Sequence, residues 1–245
     1  MRILLSLVIL SLLGGSARAF QPLLGEQASF LGREGRLIVA GMEYSVSKEG
    51  SDRYSTGAFA ELSYGLWDRL DVLVTVPWLG WSSRGIAESG LGDVLVEAKL
   101  AAGERAGWTL ALKPGFSLPA GNEAGSLGAG KGGVWLYGLA GREAGPWRFC
   151  LNGGYMLNRN SLGERENLLK GSASASRAVF SGLRASAALF ALTSKDKNSR
   201  SHPLAAVLGL TWTPRPVLDL DAGARLGLNR GAEDFGLLAG LTLRI

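Results

Sequence analysis

Cysteine and histidine are almost missing from this chain: among 245 residues there is one of each, Cys150 and His202. A lone cysteine excludes an internal disulfide, even in an oxidising compartment. One histidine leaves no ligand cluster for a metal and only one candidate base. His202 stands near the loop hydroxyls Ser199 and Ser201 but lacks the third, orienting group that a catalytic triad needs. Long hydrophobic runs are scarce as well. Beyond residue 20, charged or glycine-rich breaks interrupt every apolar stretch well short of the ~18 residues that mark a membrane-spanning helix, which excludes a multi-helix membrane protein. The net charge of +5 is spread along the chain without a basic run, so nothing points to nucleic acid. Gly128-Ala129-Gly130-Lys131 imitates a phosphate-binding loop, but no strand–loop–helix pattern surrounds it.

The one continuous apolar run, Ile3 to Leu13, is broken only by Ser6 and Ser11. Arg2 precedes it and Ala17-Arg18-Ala19 follows, the layout of a secretory leader with an A-x-A-like cleavage site. Residues 1–19 are therefore expected to be a signal peptide and residues 20–245 the mature domain, beginning at Phe20. No cysteine follows the run to accept a lipid.

What the chain has in quantity is glycine, 36 residues, which suits turns and curved sheets better than helix interiors. It also has period-two alternation, the mark of strands with one apolar and one wet face. The sharpest segments are Leu70–Trp78, Leu91–Leu100, Trp108–Leu118 and Val217–Leu228. In Leu70–Trp78, for example, Leu70, Val72, Val74, Val76 and Trp78 oppose Asp71, Leu73, Thr75 and Pro77. Less sharp strands fall at Arg36–Val46, Ser55–Trp67, Lys131–Gly141, Trp147–Leu157, Asn167–Ala178, Leu183–Thr193, Pro203–Trp212 and Phe235–Ile245. The Ser/Ala alternation of Asn167–Ala178 carries little hydrophobic contrast. In Lys131–Gly141 either Trp135 and Tyr137 or Val134 and Leu136 face outward. The total is twelve, an even number, as a single-chain bacterial barrel with both termini on one side requires.

Connections alternate in length. Trp67–Leu70, Gly103–Gly107, Arg142–Pro146, Val179–Gly182 and Thr213–Pro216 are short, whereas Ser47–Tyr54, Gly80–Gly90, Pro119–Gly130, Asn158–Glu166, Ser194–His202 and Asn229–Asp234 are mostly longer and more polar. Short periplasmic turns with longer outer loops are the outer-membrane arrangement. Trp108, Trp147 and Trp212 then fall at the periplasmic rim and Trp78 and Trp81 at the outer one, as interfacial girdles do. The expected fold is all-β: a transmembrane antiparallel up-and-down β-barrel of about twelve strands.

Several short motifs sit on these strands: Gly90-Leu91-Gly92-Asp93, Lys113-Pro114-Gly115-Phe116-Ser117-Leu118-Pro119-Ala120-Gly121, the glycine-rich Gly125 to Gly133, Gly153-Gly154-Tyr155, and Leu218-Asp219-Leu220-Asp221-Ala222-Gly223. Together they resemble the family of outer-membrane proteins named for the meta-pathway of phenol degradation. The resemblance covers about Ala58 to the C-terminus and implies an outer-membrane barrel of transporter type, with no phenol specificity carried over. The chain departs from many outer-membrane barrels in ending on Ile245 rather than an aromatic residue.

If the apolar faces meet lipid, the alternate positions line the lumen. Charged candidates there are Glu43, Glu61, Asp71, Asp93, Glu97, Lys99, Lys113, Arg148, Arg184, Asp219, Asp221, Arg225 and Arg244. Such an interior reads as a polar pore for passive passage of a small solute, or as a narrow barrel filled by ion pairs that serves as a structural or adhesion platform. A barrel-wall hydrolase is the weakest reading. Two registers are expected: Glu97 opposite Lys113, and Asp219 opposite Arg244 with Arg225 seeking Asp221 or Asp93. Expected partners are outer-membrane lipids and lipopolysaccharide, the barrel-assembly machinery and an unidentified small solute, with no cofactor, metal or nucleic acid.

Overall fold

Segments in which every second residue is apolar become strands throughout the computed structural model, which describes residues 26–47 and 53–245. The expected signal peptide 1–19 and the mature start at Phe20 lie outside the described residues. In chain order the strands are β1 (Arg36–Ser47), β2 (Arg53–Trp67), β3 (Leu70–Ser83), β4 (Ile86–Leu91), β5 (Val94–Arg105), β6 (Trp108–Leu118) and β7 (Val134–Ala144). They continue as β8 (Trp147–Leu157), β9 (Asn167–Phe180), β10 (Leu183–Leu192), β11 (Leu204–Arg215), β12 (Leu218–Gly227) and β13 (Phe235–Arg244). Every pairing is antiparallel, and β1 joins β13 while β2 joins β3, so the sheet closes on itself. Most strands reach or exceed the ~9–11 residues a tilted transmembrane strand needs.

The extra strand corrects the expected loop Gly80–Gly90. β3 runs on to Ser83, turns at Arg84-Gly85 (φ 51° and 79°) and returns as β4 along its own outer half. Two consecutive positive φ values are what a tight two-residue hairpin turn requires. β4 and β5 then take successive halves of β3, residues 78–83 and 70–75, so they are two pieces of one stave in a twelve-stave barrel. Gly92-Asp93 forms the break between them. Pairing with β3 shifts by one residue there, as across a β-bulge, and the faces exchange.

Five two-residue turns, at 68–69, 106–107, 145–146, 181–182 and 216–217, form one rim. The opposite rim carries the β3–β4 hairpin and the segments 119–133, 158–166, 193–203 and 228–234, which brace one another. Trp81 Nε1 donates to the Gly125 carbonyl at 3.0 Å, the Ser161 amide to Ala129 at 2.8 Å, and Asn229 Nδ2 to the His202 carbonyl at 2.7 Å.

Burial separates the faces. Leu62, Leu136, Leu169, Leu208 and Leu237 are exposed on the outside, while Ser63, Asp71, Lys113, Ser176 and Thr242 are buried inside. On β9 the small residues sort cleanly, Ser174 and Ser176 inward and Ala173 outward. On β7, Trp135 and Tyr137 turn inward and Val134 and Leu136 outward. The reason lies on the neighbouring strands. Gly115 faces Trp135 and Gly154 faces Tyr137, and a Cβ at either glycine would stand only 2.4 Å from the ring. The two glycines are the seats on which the inward rings lie, stacked with centroids 6.4 Å apart.

Both expected registers are displaced by two residues. Glu97 pairs with Gly115 rather than Lys113, and Asp219 with Thr242 rather than Arg244. Arg225 consequently stands opposite Gly236, not Leu238. A two-residue slip keeps every side chain on its face, so the alternation that placed the strands has no power over it.

Candidate functional site

The interior is not an empty tube. Ahead of β1 the chain runs as an extended segment along the inside of the β3–β5–β6–β7 wall. Ala28 packs with Ala111 and Leu139, flanked by Phe30 and Tyr137. The Leu31 amide donates to both carboxylate oxygens of Asp71 at 3.3 Å, and Phe30 lies under the Lys99 ammonium, 5.4 Å from ring centroid to Nζ. Glu26 forms an ion pair with Lys113. Near the short-turn rim, the Glu34 amide donates to the Gly65 carbonyl at 2.8 Å and anchors the segment where it enters β1.

Around this segment the charged candidates divide into separate groups. Lys113, only 2% exposed, bridges Glu26 and Glu97, the latter at 2.7 Å. Glu97 also accepts from Trp135 Nε1 at 2.8 Å, so the diagonal reach from β5 to β6 forms the ion pair that direct opposition was expected to form. Lys99 pairs with Asp71 at 3.3 Å. Glu61 accepts from Ser63 Oγ at 2.9 Å and Thr75 Oγ1 at 3.2 Å. Glu26, Glu61, Asp71, Glu97, Lys99 and Lys113 thus lie in three adjoining groups on one side of the lumen.

Asp93 lies apart, at the bulge. Its carboxylate accepts from the amides of Gly121 (3.1 Å) and Ala129 (2.8 Å), docking the 119–133 loop onto the wall. Arg225 pairs with Glu43 and Glu233, a correction of the expected Asp221 or Asp93. The register explains it: opposite Gly236 the guanidinium crosses a position with no side chain, and a Cβ there would come within 3.4 Å of Glu43 Oε1. At the short-turn rim, Asp219 pairs with Arg244 and accepts from Thr213 Oγ1 at 2.7 Å. Arg148 pairs with Glu143 at 2.6 Å, and Arg184 donates to Ser176 Oγ at 3.2 Å.

The opposite side of the lumen has another chemistry. Ser172, Ser174, Ser176, Ser186 and Thr211 face inward there, with an apolar patch of Ala188, Val207 and Leu238 beside Phe190. Asp221 accepts from Thr211 Oγ1 at 2.6 Å with one carboxylate oxygen. Its other oxygen, and Asn152 Oδ1, are buried without a hydrogen-bond partner.

The loop residues considered for catalysis are engaged elsewhere. His202 Nδ1 accepts from the Ser194 amide at 3.2 Å, and Ser199 Oγ donates to the Ser201 carbonyl at 2.9 Å. Arg165, between Glu164 and Glu166, reaches the carbonyls of Ser194, Asp196, Lys197 and Ser199, holding the 193–203 loop. Among the described residues no group of three or more His, Cys, Asp or Glu could hold a metal ion.

The N-terminal segment is the feature that sequence reasoning missed. Its signal, Glu26, Ala28 and Phe30 on alternate positions, spans too few residues to stand out as a period.

Comparison with known proteins bears on the same architecture. The sequence profile of the family described as "Putative MetA-pathway of phenol degradation" matches residues 42–245. No curated protein matches the chain. Among solved structures, an outer membrane channel from Pseudomonas putida F1 is similar with a TM-score of 0.72 at 17% identity, over 89% of this chain and 98% of the other. The NanC porin gives a TM-score of 0.58 at 12% identity, over 85% and 100% of the two chains. The translocator domain of the autotransporter NalP from Neisseria meningitidis gives 0.54 at 13% identity, over 87% and 89%. At such identities the likeness is one of fold.

Proposed function

Since the chain belongs to the family described by the MetA-pathway of phenol degradation, we propose that it is an outer-membrane channel for passive passage of a small solute. The observation that carries this reading is the two-sided lumen. One wall is closed by the N-terminal segment and its ion-pair network, and the other, free of that segment, mixes small hydroxyl side chains and an apolar patch with separate charged groups such as Arg184, Asp221 and Arg225. A filled structural barrel would cover both walls alike. The proposed route is the side of the lumen between the segment and the β8–β12 wall, whose mixed lining suits small solutes with both polar and apolar faces. Location in the outer membrane is supported by the exposed apolar band and the family, and the periplasmic side by the five short turns.

Single-channel recording in planar bilayers tests the proposal. The full-length protein is expected to show discrete openings, and a variant lacking residues 26–31 larger ones. A folded barrel silent in both forms would favour a non-conducting platform and overturn the channel.

A further inference from the structure

We infer that the outer wall carries a site for an anionic glycerophospholipid of the periplasmic leaflet, with the phosphate held by Arg142 and Arg177. The site rests on the outer-membrane reading above.

A groove of about 650 Å³ runs along the outside of β7 to β11, within the range of about 300–1,000 Å³ typical of small-ligand sites. Its floor is Ala173, Ala175, Ala187 and Ala206, and Phe149, Leu151, Leu189 and Leu208 rise on its sides. The registers place these residues together: Phe149 opposite Ala175, Ala175 opposite Ala187, and Ala187 opposite Leu208.

One end of the groove meets the short-turn rim. Arg142 lines it beside Trp108, and both are on the outer face. Arg177 lies two strands away, its guanidinium 5.4 Å from the Trp147 ring centroid. Between them stand Trp147 and Phe149, stacked with centroids 6.0 Å apart. Strand spacing and rise put the two arginine Cα atoms roughly 12 Å apart, close enough for two long side chains to share one phosphate. Nearby Glu143 faces inward and pairs with Arg148, so it does not neutralise them.

From the Arg177 level to the Ala173 level the groove runs about 13 Å along the strands, which at a tilt of ~40° is about 10 Å of depth, a third of the ~30 Å hydrocarbon core. That depth holds the upper part of an acyl chain whose headgroup sits at the rim. The arrangement therefore reads as one lipid from end to end: cations at phosphate depth, aromatic rings at the interface, and a smooth apolar channel below. A second copy of the barrel fits less well. In one membrane a two-fold axis runs along the membrane normal, so groove-to-groove contact would bring the arginines of both copies to the same level.

The test is native mass spectrometry of the full-length protein in detergent, with added phosphatidylglycerol or phosphatidylcholine. The wild type is expected to retain one phosphatidylglycerol in preference to phosphatidylcholine. The double variant Arg142→Gln/Arg177→Gln should weaken phosphatidylglycerol binding about tenfold or more, leaving phosphatidylcholine unaffected. Ala187→Leu, which fills the groove, should weaken both. Heat-dependent gel mobility and membrane fractionation show that each variant is a folded outer-membrane barrel, and failure of the wild type there would sink the channel reading instead. Equal retention of both lipids, unchanged phosphatidylglycerol binding in the double variant, or a dimer dissolved by Ala187→Leu would overturn the site.

Discussion

Lys113 is the cation on which the inner network depends. Glu26 and Glu97 both close on it, and it is almost wholly buried. Removing one partner of a buried ion pair costs about 3–5 kcal/mol, because the remaining charges keep their desolvation without their counterion. Lys113→Met is therefore expected to lower the unfolding free energy, read from urea titration in liposomes, by an amount of that order, with a correspondingly lower midpoint. A midpoint equal to that of the wild type would show that water reaches the network. Arg244 with Asp219 makes the contrast. Its guanidinium is about half exposed, and such rim pairs are worth about 1 kcal/mol or less.

At the scale of the element, Asp93 shows how a break in a strand becomes useful. The bulge at Gly92-Asp93 interrupts the ladder, and there two loop amides donate to the Asp93 carboxylate. Hydrogen bonds to a charged group contribute about 1.5–3 kcal/mol each. Asp93→Ala should therefore speed hydrogen exchange at Gly121 and Ala129 while the β6–β7 ladder keeps its protection. Unchanged exchange would mean that other contacts hold the loop. The two faces of β11 give a second expectation. Leu210→Arg puts a charge against lipid, at about 2–4 kcal/mol near the midplane, whereas Thr211→Arg points inward beside Asp221. Refolding yields should fall for the first and hold for the second; equal losses would contradict the in–out assignment.

These elements also show what was legible in the sequence. Val72, Val74 and Val76 set against Asp71, Leu73 and Thr75 announce a strand and its two faces, because lipid and lumen impose opposite demands at period two. Pairing partners were less legible. Glu97 and Lys113 do meet, but diagonally: the turn sits at 106–107, the bulge near Gly103 shifts the ladder by one residue, and Gly115, the seat of Trp135, falls opposite Glu97. The β3–β4 hairpin was hidden because β4 is only six residues long, almost wholly exposed and without an alternation of burial. The inner segment was hidden because its contacts reach β3, β5, β6 and β7, and no local pattern records them.

For the whole molecule, the N-terminal segment sets the expected response to acid. Burial works against the Glu26 carboxylate, yet the ammonium groups of Lys113, Lys170 and Lys99 outweigh it and hold its pKa below the ordinary carboxylate range. A depressed pKa means that docking is favoured above the unfolded value and is lost as pH falls through the folded one. Conductance should stay flat from neutral pH down to about 4.3, the ordinary glutamate value, and rise only below it. A rise beginning near pH 6 would show that the lysines do not control the segment. Finally, the ladder between β1 and β13 joins opposite ends of the chain. That seam brings together the most distant residues in sequence, so its loop-closure entropy is the largest and its formation the slowest step by topology. The inner segment is continuous with β1, one lip of that seam. Its docking and the sealing of the wall therefore draw on the same stretch of chain, and the backbone bonds of Glu34 and Gly35 with Gly65 tie the mouth of the segment to β2 where the two meet.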